Sequence, residues 1–555
     1  MGSLAKAAAL FLGAFVFSFA GCQQYLHHHS RTSRIQPPND ASPGWFLAER
    51  AREALWHGEE DERNKRATAI DEYYESARLS WNALEQSNQV EPVLAIYENA
   101  LAGMIRVGKA EQRLDPQKGL TLSSGRLVPL RYSGIAWQPG DVHKLVPPPK
   151  RGDRELIKYY QTDGIGLPMV GVHEQTANSF LNPESVFAIT ALLRPGPDGE
   201  FALEYCDPLI FDQVAVGQRA LPMARDISAP WALAVKDLPQ TWFRAFFTPS
   251  ESDVQAQIHM IEPYQPGKIP LMLVHGLFSD PMTWVLLINE LKNEPDIQRN
   301  YQIWSFRYPT GGRFFFSSSK FREQLIQLRM KLDPGRADPA LDQMVMAGHS
   351  LGGIMAKIQV VESGNLLWDR IAEGPFEALQ GPPEVIRQAH NALFFHPVPS
   401  VRRIIFIGAP HNGAKLATGF LARSGERLIT FDTPEDQQLK AFIAQNQNII
   451  KPNMVTSIPT TLDMLEPNHP LLEALRLMPI APWVKTHSII GTGGWFGCRQ
   501  ETDGIVPVES AHHPGDVTEL KVRGIHTHLH RNPDSIKEIK RILREHLRET
   551  KGPVH

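Results

Sequence analysis

From residue 263 to about residue 550, short runs made almost wholly of apolar residues alternate with stretches of helical periodicity, and no other feature restricts the fold as strongly. The runs lie at 269–274, 301–306, 344–347, 403–407 and 488–490. A strand half exposed to water alternates apolar and polar side chains, whereas one that is apolar throughout needs cover on both faces. Intervening helices supply that cover and return the chain to its starting edge, so successive strands run parallel. The stretch 263–550 is therefore expected to be one α/β domain, a mostly parallel sheet with helices on both faces. Its last helix is expected from Asp534 to about Leu547 after Pro533, with Ile536, Ile539, Leu543 and Leu547 on one face.

Within this domain, Gly348-His349-Ser350-Leu351-Gly352 follows the apolar run at 344–347 and precedes the helix-compatible Gly353-Ile354-Met355-Ala356-Lys357. The pentapeptide alone is a weak signal. Its placement between strand and helix is a strong one, because a serine on a tight strand-to-helix turn presents its Oγ beyond the sheet, and only glycine lets the flanking backbones approach so closely. Ser350 is the expected nucleophile.

Serine needs a base to accept its proton and a third group to orient that base. Asp503, in Thr502-Asp503-Gly504-Ile505-Val506-Pro507-Val508 after the run at 488–490, lies in a polar, Gly-bounded loop where an acid can be presented. Asp463, Glu501 and Glu509 sit in weaker contexts. The base is expected after the next strand, 517–522, where Gly524-Ile525-His526-Thr527-His528-Leu529-His530 offers three histidines. His526, the first after the strand, is favoured, with His528 next. A metal-binding reading of these histidines finds no acid or cysteine among them, and a metal would compete with a base. Acyl transfer also needs N–H donors for the developing oxyanion. Leu351 is the candidate for one. Leu277, in His275-Gly276-Leu277 at the end of the 269–274 strand, is the candidate for the other.

As an ordered set, these segments, with Leu273-Val274 before His275 and with Ile407-Gly408-Ala409-Pro410-His411-Asn412-Gly413, resemble the lipase and esterase branch of the α/β-hydrolase superfamily. They are most similar to bacterial lipoproteins of esterase or lipase type, with some likeness to the GPI-inositol deacylase group. The resemblance covers roughly 263–550. It implies an α/β-hydrolase fold, a triad of Ser350, Asp503 and His526, oxyanion donors at Leu277 and Leu351, an ester or lipid substrate, and no cofactor or metal. An acyltransferase of the same fold, passing the acyl group to an alcohol, is the alternative within enzymology; a non-catalytic envelope scaffold is the alternative outside it. The segment 364–400, with Leu366, Leu367, Trp368, Phe376, Phe394 and Phe395, reads equally as a cap over an acyl pocket or as core packing.

The rest of the chain is less explicit. Lys6 and the apolar run 7–20 have the charge-then-hydrophobe order of a secretory signal, and the run is shorter than the roughly 20 residues of a spanning helix. Phe19-Ala20-Gly21-Cys22 resembles the lipobox of bacterial lipoproteins. That resemblance implies a signal peptide over 1–22, lipidation at Cys22, attachment to the membrane through that lipid, and, with Gln23 next, residence at the outer membrane of the bacterial envelope. Residues 23–42 read as a tether, and His27, His28 and His29 as part of it rather than as a metal site. Helical spacing of Ile70, Tyr74, Ala77, Trp81 and Leu84, then of Val93, Ile96, Ala100, Leu101 and Ile105, predicts a helical hairpin within 43–115. Short β-like runs over 116–262 predict a small β-rich accessory domain, with a hairpin formed by 186–193 and 201–205 around Arg194-Pro195-Gly196-Pro197-Asp198-Gly199. Cys206 and Cys498 are read as buried thiols rather than a pair. With 57 basic and 60 acidic side chains mixed along 555 residues, the formal charge of -3 excludes an electrostatic route to nucleic acid.

Overall fold

Residues 43–86, 90–149, 156–174, 180–181, 184–236, 256–310, 313–414, 434–452, 461–494 and 501–551 are described by a computed structural model. Residues 1–22, read as a signal peptide ending at Cys22, residues 23–42 with His27–His29, read as a tether, and Cys498 lie outside the described residues. Two compact units account for the chain, one comprising 1–175 and 183–237, the other 176–182 and 238–555.

In the first unit, the expected helical hairpin is in fact three helices, α1 (Pro43–Arg63), α2 (Ala69–Gln86) and α3 (Val90–Ala110). The periodicity of large apolar residues reveals only α2 and α3, because the buried stripe of α1 is Gly44, Ala48, Ala51, Ala54, Leu55 and Gly58. Small side chains let the helices close up. A Cβ on Gly58 would stand 2.9 Å from the Tyr73 ring and one on Gly103 would stand 2.4 Å from it, so the aromatic ring of α2 fills the space both glycines leave. The predicted hairpin is present as strands Glu184–Pro195 and Phe201–Cys206, with Leu193 opposite Leu203. It belongs to a seven-stranded, mainly antiparallel sheet. Tyr97 of α3 ties helix to sheet: its hydroxyl donates to the Leu193 carbonyl at 2.9 Å and accepts from the Leu193 N–H at 2.7 Å. The helices and this sheet thus form one unit. Cys206 is a free, buried thiol, pushed up to about 12 by burial and by the Glu204 charge.

The second unit is built on seven strands: β1 (Gln257–Met260), β2 (Ile269–Val274), β3 (Tyr301–Arg307), β4 (Met344–His349), β5 (Val401–Ile407), β6 (Lys485–Gly491) and β7 (Thr518–Val522). Their order is β1-β3-β2-β4-β5-β6-β7, parallel throughout except for β1. Strand β1 falls in the stretch read as accessory domain. With only four residues, two of them Gln257 and His259, it gives no apolar run, and it pairs antiparallel at an edge.

Alternate residues of each strand take opposite faces. Met272, Val274, Met346, Ile404 and Phe406 share one core with Phe321, Leu325 and Leu328 of α4 (Phe314–Leu332) and with Ile354 and Met355 of α5 (Leu351–Lys357). On the other face, Arg403 reaches the terminal helix α6 (Pro533–Lys551), whose Leu543 carbonyl also accepts a 2.7 Å hydrogen bond from Tyr301. The sheet is therefore covered on both sides. Strand β2 connects to β3 on one side, while the chain from β4 onward builds away on the other. The carboxyl ends of β2 and β4 flank this reversal, the place where open parallel sheets leave a crevice. No helix among the described residues is long and apolar enough to cross a membrane.

Candidate active site

Strand β4 ends at His349 and α5 begins at Leu351, so a single residue, Ser350, makes the whole turn. Its backbone stands at φ 54° and ψ -124°, a conformation that costs about 1–3 kcal/mol for a residue with a side chain. The surroundings hold it there. The Ser350 N–H donates to the Ile407 carbonyl at 2.8 Å, and the Ser350 carbonyl accepts from Gly353 at 2.9 Å. The turn also has no room for side chains beside it: a Cβ on Gly348 would lie 2.3 Å from the Gly352 carbonyl oxygen, and one on Gly352 would lie 2.2 Å from that of Val274. These contacts explain why glycine flanks the serine.

Three side chains converge at this edge. The Ser350 hydroxyl donates to His526 Nε2 at 2.8 Å, and His526 Nδ1–H donates to Asp503 Oδ2 at 2.7 Å. The other carboxylate oxygen, Oδ1, accepts from the N–H groups of Ile505 at 3.0 Å and Val506 at 2.7 Å. The Asp503-Gly504-Ile505-Val506 turn therefore fixes one oxygen and leaves the other to the imidazole. The His526 N–H donates in turn to the Asp503 carbonyl at 3.0 Å. All three side chains are buried.

The candidates of the C-terminal cluster separate cleanly. His526 opens a short 3₁₀ turn, His526–Arg531. On that turn His528 points outward and is exposed, while His530 is buried and its Nε2–H donates to the Thr283 carbonyl at 3.1 Å. Glu501 and Glu509 are exposed, Glu501 pairing with Lys521 at 3.2 Å. The side chain of Asp463 lies outside the described residues.

The loop after β2 approaches the serine closely. A Cβ on Gly276 would lie 3.0 Å from both the His349 carbonyl oxygen and Ser350 Cβ, so the His275-Gly276-Leu277 segment passes directly beside Ser350. Its shape is held from within. Tyr308 donates its hydroxyl to the His275 carbonyl at 2.9 Å and its N–H to His275 Nε2 at 3.4 Å, leaving His275 Nδ1–H to donate to the Gly276 carbonyl at 3.1 Å. Burial holds His275 neutral, its pKa lowered to about 4. Leu351 is the first residue of α5, where a helical N–H has no acceptor within the helix.

Two residues near the centre carry no label from the sequence reading. Tyr308, just past β3, has no signal beyond an aromatic side chain. His349 stands inside the pentapeptide itself, and its contacts are taken up below. The segment 364–400 divides: Leu366, Leu367 and Phe395 pack with the main core, whereas Trp368, Phe376 and Phe394 join a satellite cluster with Leu439, Phe442, Ile449 and Ile450. Among the described residues, no group of three or more His, Cys, Asp or Glu is placed to hold a metal ion.

No family model matches the sequence, and no curated protein matches it. Solved structures with some likeness include lipase BlEst2 of Bacillus licheniformis in mature form, 17% identical over 50% of this chain and 93% of that one, with a TM-score of 0.28. A lipase-esterase related protein from Clostridium acetobutylicum is 12% identical over 52% and 98% of the two chains, TM-score 0.28. A thermophilic esterase of Thermogutta terrifontis is 14% identical over 55% and 93%, TM-score 0.29.

Proposed function

We propose that the C-terminal unit, an α/β-hydrolase in its strand order and its serine turn, is a serine hydrolase of carboxylic esters. The observation that carries this reading is the unbroken line from Ser350 Oγ through His526 to Asp503, at 2.8 and 2.7 Å, on a strained turn beside the topological switch.

In the proposed reaction, His526 Nε2 takes the Ser350 proton as Oγ bonds to the ester carbonyl carbon. The carbonyl π-electrons move onto oxygen, where the N–H groups of Leu277 and Leu351 would meet the charge. Asp503 stabilises the imidazolium and holds its tautomer, itself held by Ile505 and Val506. Collapse of the tetrahedral species breaks the bond to the alcohol oxygen, which leaves with the proton from His526. Water, deprotonated by the same imidazole, then releases the acid and regenerates Ser350. The test is hydrolysis of p-nitrophenyl esters of graded chain length by wild type and Ser350→Ala. Wild-type turnover with loss of at least about a thousandfold in the variant is expected; equal turnover would remove the assignment.

We further propose that the enzyme works at the bacterial envelope, tethered by a lipid on Cys22. The charge-then-hydrophobe order of residues 1–20 and the Phe19-Ala20-Gly21-Cys22 sequence support this. Metabolic labelling with a fatty-acid analogue should tag wild type and not Cys22→Ala; labelling of both would contradict it.

A further inference from the structure

The residue between the first glycine and the nucleophile does more than fill the turn. His349 Nε2–H donates to the main-chain carbonyl of His526 at 2.9 Å, across 177 positions of sequence. Because His526 also donates its own N–H to Asp503, the residue bearing the imidazole is gripped at both of its peptide groups. One grip comes from the acid's loop and the other from the nucleophile's own neighbour. The imidazole ring of His349 lies 5.0 Å from that of His526 and 4.6 Å from that of His530. On its other edge, a Cβ on Gly276 would lie 3.2 Å from His349 Nδ1, so the same side chain also fills the space under the His275-Gly276-Leu277 segment.

The tautomer follows from these contacts. Nε2 carries the proton, since a carbonyl accepts from it, and Nδ1 is buried without a partner. A buried nitrogen without a partner is a cost of about 1–3 kcal/mol that a phenyl or leucyl group at the same place would not incur. The group that offsets it is the bond to His526. Burial, together with the neighbouring His530, His526 and His275, keeps the His349 ring uncharged, its pKa well below the ordinary value. A neutral donor can hold the base's backbone without setting a second positive charge beside the imidazolium that forms during turnover.

We infer that His349 is a positioning residue that sets the register between nucleophile and base, tying the main chain of His526 to the turn that carries Ser350. It touches no reacting atom. Its effect is on where His526 Nε2 stands relative to Ser350 Oγ, and a displacement of about 1 Å there costs on the order of a hundredfold in rate. This inference rests on the serine-hydrolase reading above.

The experiment compares kcat and KM of wild type, His349→Phe, His349→Gln and Ser350→Ala on one p-nitrophenyl ester, with thermal unfolding of each. His349→Phe keeps a ring and loses the donor; its kcat is expected to fall about ten- to a hundredfold with KM changed by less than about twofold. His349→Gln supplies an amide N–H for the same carbonyl and is expected to recover kcat to within about fivefold of wild type. Equal kcat in wild type and the Phe variant would overturn the inference, as would a Gln variant as slow as the Phe variant at matched unfolding temperature. Undiminished turnover by Ser350→Ala would instead overturn the hydrolase reading.

Discussion

The second unit holds two buried polar clusters, one at the carboxyl edge of the sheet and one on the face under α6, and they differ in how fully their groups are satisfied. At the carboxyl edge, Ser350, His526 and Asp503 form a single file in which each link is one hydrogen bond. On the face under α6, the fully buried Arg403 spends its guanidinium on His546 at 3.3 Å, His487 at 2.6 Å, Glu545 at 3.0 Å and Glu549 at 2.6 Å. With one ring nitrogen of each histidine accepting from Arg403, His487 Nδ1–H donates to the Thr518 hydroxyl at 2.7 Å and His546 Nε2–H donates to the Gln343 carbonyl at 2.8 Å. Every nitrogen of this second cluster that is described has a partner, so its protons have nowhere to go. Buried charge that is saturated in this way holds structure together; a file with an open end can move a proton.

Three substitutions and one titration break or sharpen that contrast. The largest effect is expected for Asp503→Asn, which preserves shape but presents the wrong tautomer to His526: kcat should fall by about ten-thousandfold with little change in unfolding temperature, measured by ester hydrolysis and calorimetry. Next is Arg403→Met, which should cost about 3 kcal/mol of stability in urea unfolding while kcat per folded molecule stays within about twofold. A stability loss from the first, or a kcat loss from the second, would blur the distinction between the clusters.

The pH dependence comes third. His487 and His546 are lowered to about 4, chiefly by burial and with Arg403 also disfavouring a second positive charge, and His275 is likewise lowered to about 4 by burial. Each ring is neutral in the folded chain where the unfolded chain would begin to protonate near 6.5. The unfolded state therefore binds more protons over that window, so the stability these rings contribute is intact above about pH 6.5 and is lost as pH falls toward 4. The urea midpoint should decline steadily across this range; a flat profile would contradict the neutral assignment. The smallest effect is expected for His528→Ala. This histidine is exposed, and activity should remain within about twofold.

How much of this was readable from the chain depended on whether the signal was local. Strands β2 to β5 were legible because each is a buried, largely apolar run, and the serine turn because sterics confine it to glycine-flanked sequence. The acid's loop was legible from the glycine beside Asp503. Helix α1 was hidden because alanine and glycine bury it, and β1 because an edge strand of four residues needs no apolar run. The Arg403 cluster and the His349 contact were out of reach for a different reason. Each joins residues more than 80 positions apart, and nothing local in a buried strand says which arginine will meet which histidine. The choice among His526, His528 and His530 likewise needed the 3₁₀ turn that faces the first and third inward.

The central claim is that Ser350 Oγ supplies the attacking electron pair and that His526 is its base. It is tested most directly by treating the protein with a fluorophosphonate and locating the adduct by peptide mass spectrometry. A single adduct on the peptide carrying Ser350, slowed by at least about a hundredfold in His526→Ala, is the expected result. Modification elsewhere, or at Ser350 with undiminished rate in the His526 variant, would contradict it.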